Sequence, residues 1–477
     1  MIKKFLILLY FLLIANSTYA KNFNESFAEA MKLKDEKKYQ ESLTVLTSIE
    51  KDIDNTEYSI VNKIYFYVHL DIVFENYIAQ NKDLWSDKNL FKEKISYLKK
   101  ALEYLDKTNH KQKRNSEWVL DRLGQHYLTL YFQFGDNKKE NLKNAEIYLV
   151  KLLNLHSDSL KKAKNTFGND QSYYGQVLGQ LMLTYRYLLE FDKALLFAKK
   201  ELDDCLEYHI DNPEKCRDIE SSYALVLGVH NPKEAIKIYK KLINEEKFTK
   251  KNNTQYELRY RSATRINLAL IYLNDFDDFA TAEKYMLDAL NVIDLDRKVY
   301  LDDRGTYQDL VRIYKFLSIK DKKTAIKELK KIISELENFK LRAAHLSDAY
   351  SSLADIYMRD LDVENALKFY LKAESVDQYS PQLFGRIGRV YQYMGNYSKA
   401  EENFKKSLIT EDHKYPIDNI GIAQPYLNLA FIQLQIKKYK EAENNLNKAM
   451  EVINNINQNH SVKLDLYSIY ANLYSKK

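Results

Sequence analysis

SDAYSSLADIYMRDLDVENALKFYLKAESVDQYS (residues 347–380) and PQLFGRIGRVYQYMGNYSKAEENFKKSLITEDHK (residues 381–414) are one 34-residue unit written twice. Leu353, Ala354, Tyr357, Ala366 and Tyr370 of the first copy recur as Ile387, Gly388, Tyr391, Ala400 and Phe404 of the second. Small residues return where small ones stood, and bulky ones where bulky ones stood. A fixed period with alternating small and bulky apolar positions is the pattern of a stacked helix-pair array. The small positions have a mechanical reason, since a larger side chain at a helix crossing would push the two axes apart.

Further copies lie on both sides. Residues 423–456 carry Tyr426, Leu429, Ala430, Tyr439, Ala442, Leu446 and Ala449, after an insertion of about eight residues around Glu411–Ile420. Upstream the spacing returns in weaker form. Leu310, Val311 and Tyr314 precede Ala325, and Leu268, Ala269 and Tyr272 precede Ala282 and Ala289. Leu181, Met182 and Tyr185 precede Ala194 and Ala198; Leu123, Gly124 and Tyr127 precede Ala145 and Tyr148. Ala30, Leu33, Tyr39, Ser42 and Leu46 read as an opening unit. With poorer pairs near 58–107 and 219–247, the count is about ten. Asn212-Pro213 and Asn231-Pro232 read as helix starts, with Asn capping and Pro in the first turn. Residues 461–475 repeat a first-helix pattern (Leu466, Tyr470, Ala471, Tyr474) without a second helix, as a terminal cap does.

Residues 347–456 resemble tetratricopeptide repeats, and the degenerate copies over 21–346 extend the likeness across most of the chain. The resemblance implies an all-α, right-handed superhelical solenoid of about ten stacked helix-turn-helix repeats, closed by a capping helix in 457–477. It also implies a concave groove lined by first helices. The family's groove positions fall here on Gln308, Arg312, Lys315 and Phe316, then on Asp348, Ser351, Asp355, Met358 and Arg359. In the next unit they fall on Gln382, Gly385, Arg389, Gln392 and Tyr393, and in the last on Gln424, Leu427, Phe431, Leu434 and Gln435. Arg312, Lys315, Asp355, Arg359, Arg389, Gln392 and Tyr393 are the candidate peptide-binding residues. The family's Lys/Asn clamp on a terminal carboxylate is absent, because Ser351, Asp355, Gly385 and Arg389 hold those places.

Composition agrees with helices. Only 11 Gly and 5 Pro are spread over 477 residues, too few for the turns of a sheet-rich fold. The 39 Tyr suit inter-helix seams, where one ring edge meets water. Residues 1–20 are a separate object: Lys3 and Lys4, an apolar run from Phe5 to Ala15, and a plausible cleavage point after Ala20. That run is shorter than the roughly 20 residues a membrane-spanning helix needs. The reading is a signal peptide, leaving an exported chain with no stable membrane insertion. Its removal takes away two Lys and no acid, so the net charge falls from +6 to +4. Lys and Glu alternate along the helices, with a basic stretch at Lys107–Arg114 and acidic ones at Asn274–Asp278 and Asp294–Asp303. A nucleic-acid binder concentrates its basic residues on one face, so nucleic acid is not expected as a partner.

Chemistry is scarce. There is no phosphate-cradling Gly loop, since Gly385-Arg-Ile-Gly388 is a packing pair of the repeat, and no HExxH or GxSxG. Cys205 and Cys216 form either a disulfide, natural in an exported chain, or two buried thiols. His209 between them does not complete a four-ligand zinc site. No metal, cofactor or catalytic residue is expected. The function that remains is an exported, non-catalytic scaffold that binds a protein or peptide in its groove. Two alternatives share the fold: a ligand-sensing regulatory solenoid, whose output would need a separate protein, and a secreted effector that binds host proteins.

Overall fold

Residues 381–411 show how one repeat closes on itself. A Cβ added to Gly388 would lie 2.8 Å from the Phe404 ring of the second helix. The missing side chain is what lets the buried ring fit there. The first helix ends with Asn396 N donating to Tyr391 O (2.9 Å) and Gly395 N to Gln392 O (3.0 Å). Gly395 is left-handed, with φ 71°, as this helix ending requires. The next residue, Asn396, caps the second helix by accepting from Lys399 N at 3.2 Å. The same device recurs one period earlier, with Leu361 left-handed (φ 57°) and Asp362 accepting from Asn365 N at 3.2 Å.

The computed structural model describes residues 23–55, 58–81, 84, 87–132, 139–162, 172–188, 190–246, 254–295, 306–337, 343–376, 381–411, 420–454 and 462–476. The leader at 1–20, most of the insertion at 411–420 and most of the acidic run at 294–303 lie outside the described residues. Among the described residues, twenty-one α-helices pair into ten hairpins and leave one final helix. That is the all-helical repeat architecture the sequence predicts. No helix among them is long and apolar enough to cross a membrane.

The helices gather into two compact units. The first comprises α1 (Phe23–Asp35), α2 (Tyr39–Asn55), α3 (Ile60–Gln80), α4 (Lys88–Lys107) and most of α5 (Lys113–Phe132) and α6 (Lys139–Lys162). Ser42 seats α2 on α1 by donating its hydroxyl to Ala30 O at 2.7 Å. Gly124 of α5 faces Leu149 of α6, where an added Cβ would lie 2.6 Å from the leucine.

The second unit begins with α7 (Tyr173–Tyr187), α8 (Phe191–Tyr208), a 3-10 turn at Pro213–Cys216, α9 (Arg217–Leu227) and α10 (Pro232–Glu245). It continues with α11 (Gln255–Phe276), α12 (Phe279–Asp294), α13 (Thr306–Leu317), α14 (Lys322–Glu337), α15 (Ala343–Arg359) and α16 (Val363–Val376). It closes with α17 (Pro381–Tyr393), α18 (Tyr397–Glu411), α19 (Ile420–Gln435), α20 (Tyr439–Asn454) and α21 (Val462–Lys476). From α7 to α21 each helix packs on its chain neighbours, and first helices of adjacent hairpins also touch, as α11 does α13 and α13 does α15.

Tyrosines recur in the seams between paired helices. Within a hairpin the first-helix ring stacks on an aromatic of the second helix: Tyr357 on Phe369 (5.7 Å), Tyr272 on Tyr285 (6.0 Å), Tyr185 on Phe197 (5.3 Å) and Tyr127 on Tyr148 (5.8 Å). A lysine covers each first-helix ring, for example Lys240 at 5.5 Å from Tyr272 and Lys193 at 5.0 Å from Tyr185.

Two details differ from the sequence reading. Asn231 caps α10 by accepting from Glu234 N at 3.1 Å, but Asn212-Pro213 starts only the short 3-10 turn, and Asn212 makes no side-chain cap bond. In α21 the inward residues are Leu466, Ile469, Tyr470 and Leu473; Ala471 and Tyr474 point outward. The small position exists to admit a second helix of the hairpin, and none follows α21 among the described residues.

Candidate functional site

Five successive first helices of the second unit, α11, α13, α15, α17 and α19, line one cleft of about 860 Å3. Second helices reach its floor through Met286, Tyr370 and Ser407. Of the residues singled out in the sequence, the cleft gathers Arg312, Lys315, Asp355, Arg359, Arg389 and Tyr393; Gln392 is half-buried and lies outside the lining. Gly385 leaves open space: an added Cβ would meet only Ser407 Oγ, at 3.8 Å. The last hairpin departs from the expected groove, since Leu427 and Leu434 are core residues in the cluster that α21 completes.

Asp355 is the internal brace of the cleft. Lys315 Nζ lies 2.5 Å from its carboxylate, Arg386 Nη1 3.5 Å away, and Tyr370 Oη donates to it at 2.5 Å. One carboxylate thus ties α13, α15, α16 and α17 together. Burial, and then the carboxylate, push the Tyr370 hydroxyl above its ordinary pKa, so it stays a donor. Arg359 donates through Nη2 to Lys315 O at 3.3 Å and to Ser318 Oγ, two neutral acceptors that leave its charge unneutralised. Arg312 reaches Asp309 only at 4.0 Å. Arg389 is exposed and has no ion-pair partner among the described residues. Asp348 accepts from Gln308 at 3.2 Å, and desolvation raises its pKa above the ordinary carboxylate value.

Arg386 was missed from the sequence because the family positions step past it, although Arg386 and Arg389 stand three apart on one helix. The apolar end of the cleft, Leu270, Leu273 and Met286, was missed because it comes from a degenerate repeat.

The first unit holds two buried polar clusters with no sequence motif. Asp71, Glu75 and His126 offer ligand atoms within 4.8 Å of one another. Both carboxylates are already paired with protein cations, though: Lys94 lies 3.7 Å from Asp71 and also pairs with Glu75, and Arg122 bonds Glu75. Trp118 Nε1 donates to Asp71 at 3.1 Å. Burial disfavours charge on Asp71, but Lys94 and His126 hold its pKa below the usual carboxylate range. Burial pushes His126 down to about 4. In the second cluster Ser116 Oγ lies 2.8 Å from His110 Nδ1 and 2.7 Å from His156 Nε2, and His110 Nε2 lies 2.8 Å from Asp106. Three residue types of a hydrolase meet there, yet Ser116 is wholly buried, so a substrate carbonyl has no approach to its hydroxyl.

In the second unit Cys205 and Cys216 are joined by a disulfide, with Cα atoms 5.9 Å apart, tying the end of α8 to the 3-10 turn.

Residues 379–455 match a family model described as tetratricopeptide repeat. No curated protein matches the sequence. Among solved structures, the APC/C hetero-tetramer Cut9–Hcn1 has a similar chain (15% identity, TM-score 0.41), with 95% of this chain and 84% of that one covered. BtubC (BKLC) from P. vanneervenii is similar at 16% identity and TM-score 0.36, covering 50% of this chain and 94% of its own. TTC0263, a tetratricopeptide protein of Thermus thermophilus, is similar at 19% identity and TM-score 0.32, covering 44% and 99%. Residues 379–455 are thus similar to tetratricopeptide repeats, and the hairpins on the N-terminal side of that match repeat the same helix-pair arrangement.

Proposed function

We propose that the protein is a non-catalytic scaffold that holds a partner polypeptide in the cleft of its second unit. One observation carries this reading: five consecutive first helices turn charged and apolar side chains into one open cleft, and the bonds of Asp355 tie the central three, α13, α15 and α17, together. Pre-set side chains lose little freedom when a partner docks, which favours binding. Cleft mouths with an arginine and a tyrosine on the rim, here Arg389 and Tyr393, suit polypeptide capture.

The scaffold acts outside the cytoplasm in this reading. Its support is the charged-then-apolar leader over residues 1–20, together with the Cys205–Cys216 disulfide, a bond that persists mainly in oxidising compartments. The test is a crosslinked pull-down from the native host, with fractionation, using the chain tagged after Lys477. A partner recovered from an envelope or secreted fraction, and lost with Arg389→Glu and Tyr393→Ala, is the expected outcome. The same partner retained by the double variant would place docking elsewhere. An intact mass that still includes residues 1–20 would remove the export reading.

A further inference from the structure

We propose that the cleft takes an extended acidic segment that carries a bulky apolar side chain at one end. The inference rests on the reading of the cleft as a docking site and adds the chemistry of its occupant. Five cationic side chains, Arg312, Lys315, Arg359, Arg386 and Arg389, face the cleft against the single carboxylate of Asp355. Of these five cations, Lys315 and Arg386 are the two that pair with Asp355 among the described residues. The positive excess therefore lies on Arg312, Arg359 and Arg389, three guanidinium groups suited to bidentate carboxylate recognition. The chain as a whole is close to charge balance, so this excess is local.

The charge is also unevenly placed. The cationic residues all stand on α13, α15 and α17, whereas α11 and α12 contribute Leu270, Leu273 and Met286. Phe316 of α13 and Ile319 in the turn after it add further apolar lining. An occupant that matches this pattern has an apolar anchor over α11–α12 and carboxylates along α13–α17. Five first helices at about 10 Å spacing span roughly 40 Å. At about 3.3 Å per residue an extended segment covers that length with about twelve residues. The aliphatic side chains at the anchor end favour a polypeptide over a nucleic acid, whose bases call for stacking platforms.

The test is selection from a random dodecapeptide display library on the full chain at about physiological salt, where surface charge is screened beyond roughly 8 Å. Selected sequences should be enriched at least twofold in Asp and Glu over the unselected pool and share a bulky apolar residue. The Arg312→Glu, Arg389→Glu chain should lose that enrichment and favour Lys and Arg. Gly385→Trp, which fills open space in the cleft, should abolish selection, with circular dichroism showing that each variant is folded. Selection indifferent to charge but lost in Gly385→Trp would overturn the acidic occupant and leave the docking site standing. Selection unchanged in Gly385→Trp, or none above background, would overturn both. Displacement of the selected peptides by single-stranded oligonucleotide, but not by polyglutamate of equal charge, would reassign the cations to nucleic acid.

Discussion

Gly385 and Gly388 stand one turn apart on α17 and answer to opposite demands. At Gly388 a Cβ would collide with the Phe404 ring at 2.8 Å, whereas at Gly385 the nearest atom is 3.8 Å away. Gly388→Leu should therefore destabilise the protein by ~1–3 kcal/mol or more through overpacking. Gly385→Ala should be neutral or stabilising by up to about 1 kcal/mol, because alanine restricts the unfolded chain and suits a helix. Thermal melts of the two variants beside the parent check both signs. An unchanged melting temperature for Gly388→Leu would break the repeat alignment at that crossing. The glycine at the crossing was legible because its period of 34 residues places it opposite Ala354. The open glycine was legible only as a groove position; its free space depends on where Ser407 lies.

Helix pairing was legible wherever the small positions survive. The lone last helix was legible as a cap too, but only part of its repeat-like pattern is inward: Leu466, Tyr470 and Leu473 meet the core, while Ala471 and Tyr474 are exposed. Sequence spacing there copies the repeat, but burial follows whichever neighbour is present. The link between α8 and the 3-10 turn is set covalently. Reducing the Cys205–Cys216 bond should lower stability by about 3 kcal/mol if closure of this short loop acts through the unfolded chain. Melts of the parent with and without reductant, beside Cys205→Ser and Cys216→Ser together, check it. The reductant should leave the double variant unmoved.

The contact between α3, α4 and α5 through Asp71, Glu75, Lys94, Arg122 and His126 was invisible to sequence reading, because its members lie up to 55 residues apart in no motif. It carries a pH dependence. His126 sits at about 4 in the folded state against about 6.5 when exposed, so between those values the unfolded chain binds more protons. Asp71, also depressed, adds to the loss as pH falls further below the exposed carboxylate value. Stability should drop as pH falls from about 6.5 to about 4, by on the order of 3 kcal/mol from His126. In His126→Gln that part of the pH slope should disappear. Denaturant melts at several pH values, followed by a probe in the first unit, measure it. An equal slope in both chains would mean that His126 is protonated as readily when folded.

At the scale of the whole molecule, the repeat count was readable from periodicity alone, and so were six of the seven cleft residues. The gathering of helices into two compact units was not, since no linker or change of composition marks it. Nor was the apolar end of the cleft, because periodicity locates a groove and says little about its chemistry. Docking in that cleft is most directly tested by a photo-reactive residue at Ile319, on its lining, compared with one at Leu371, exposed on the second helix α16. After illumination in the native host, a single covalent partner should form from Ile319, be absent from Leu371, and vanish when Arg312→Glu and Arg389→Glu are added. A partner captured equally from Leu371, or from Ile319 regardless of those charges, would contradict the cleft as the docking site.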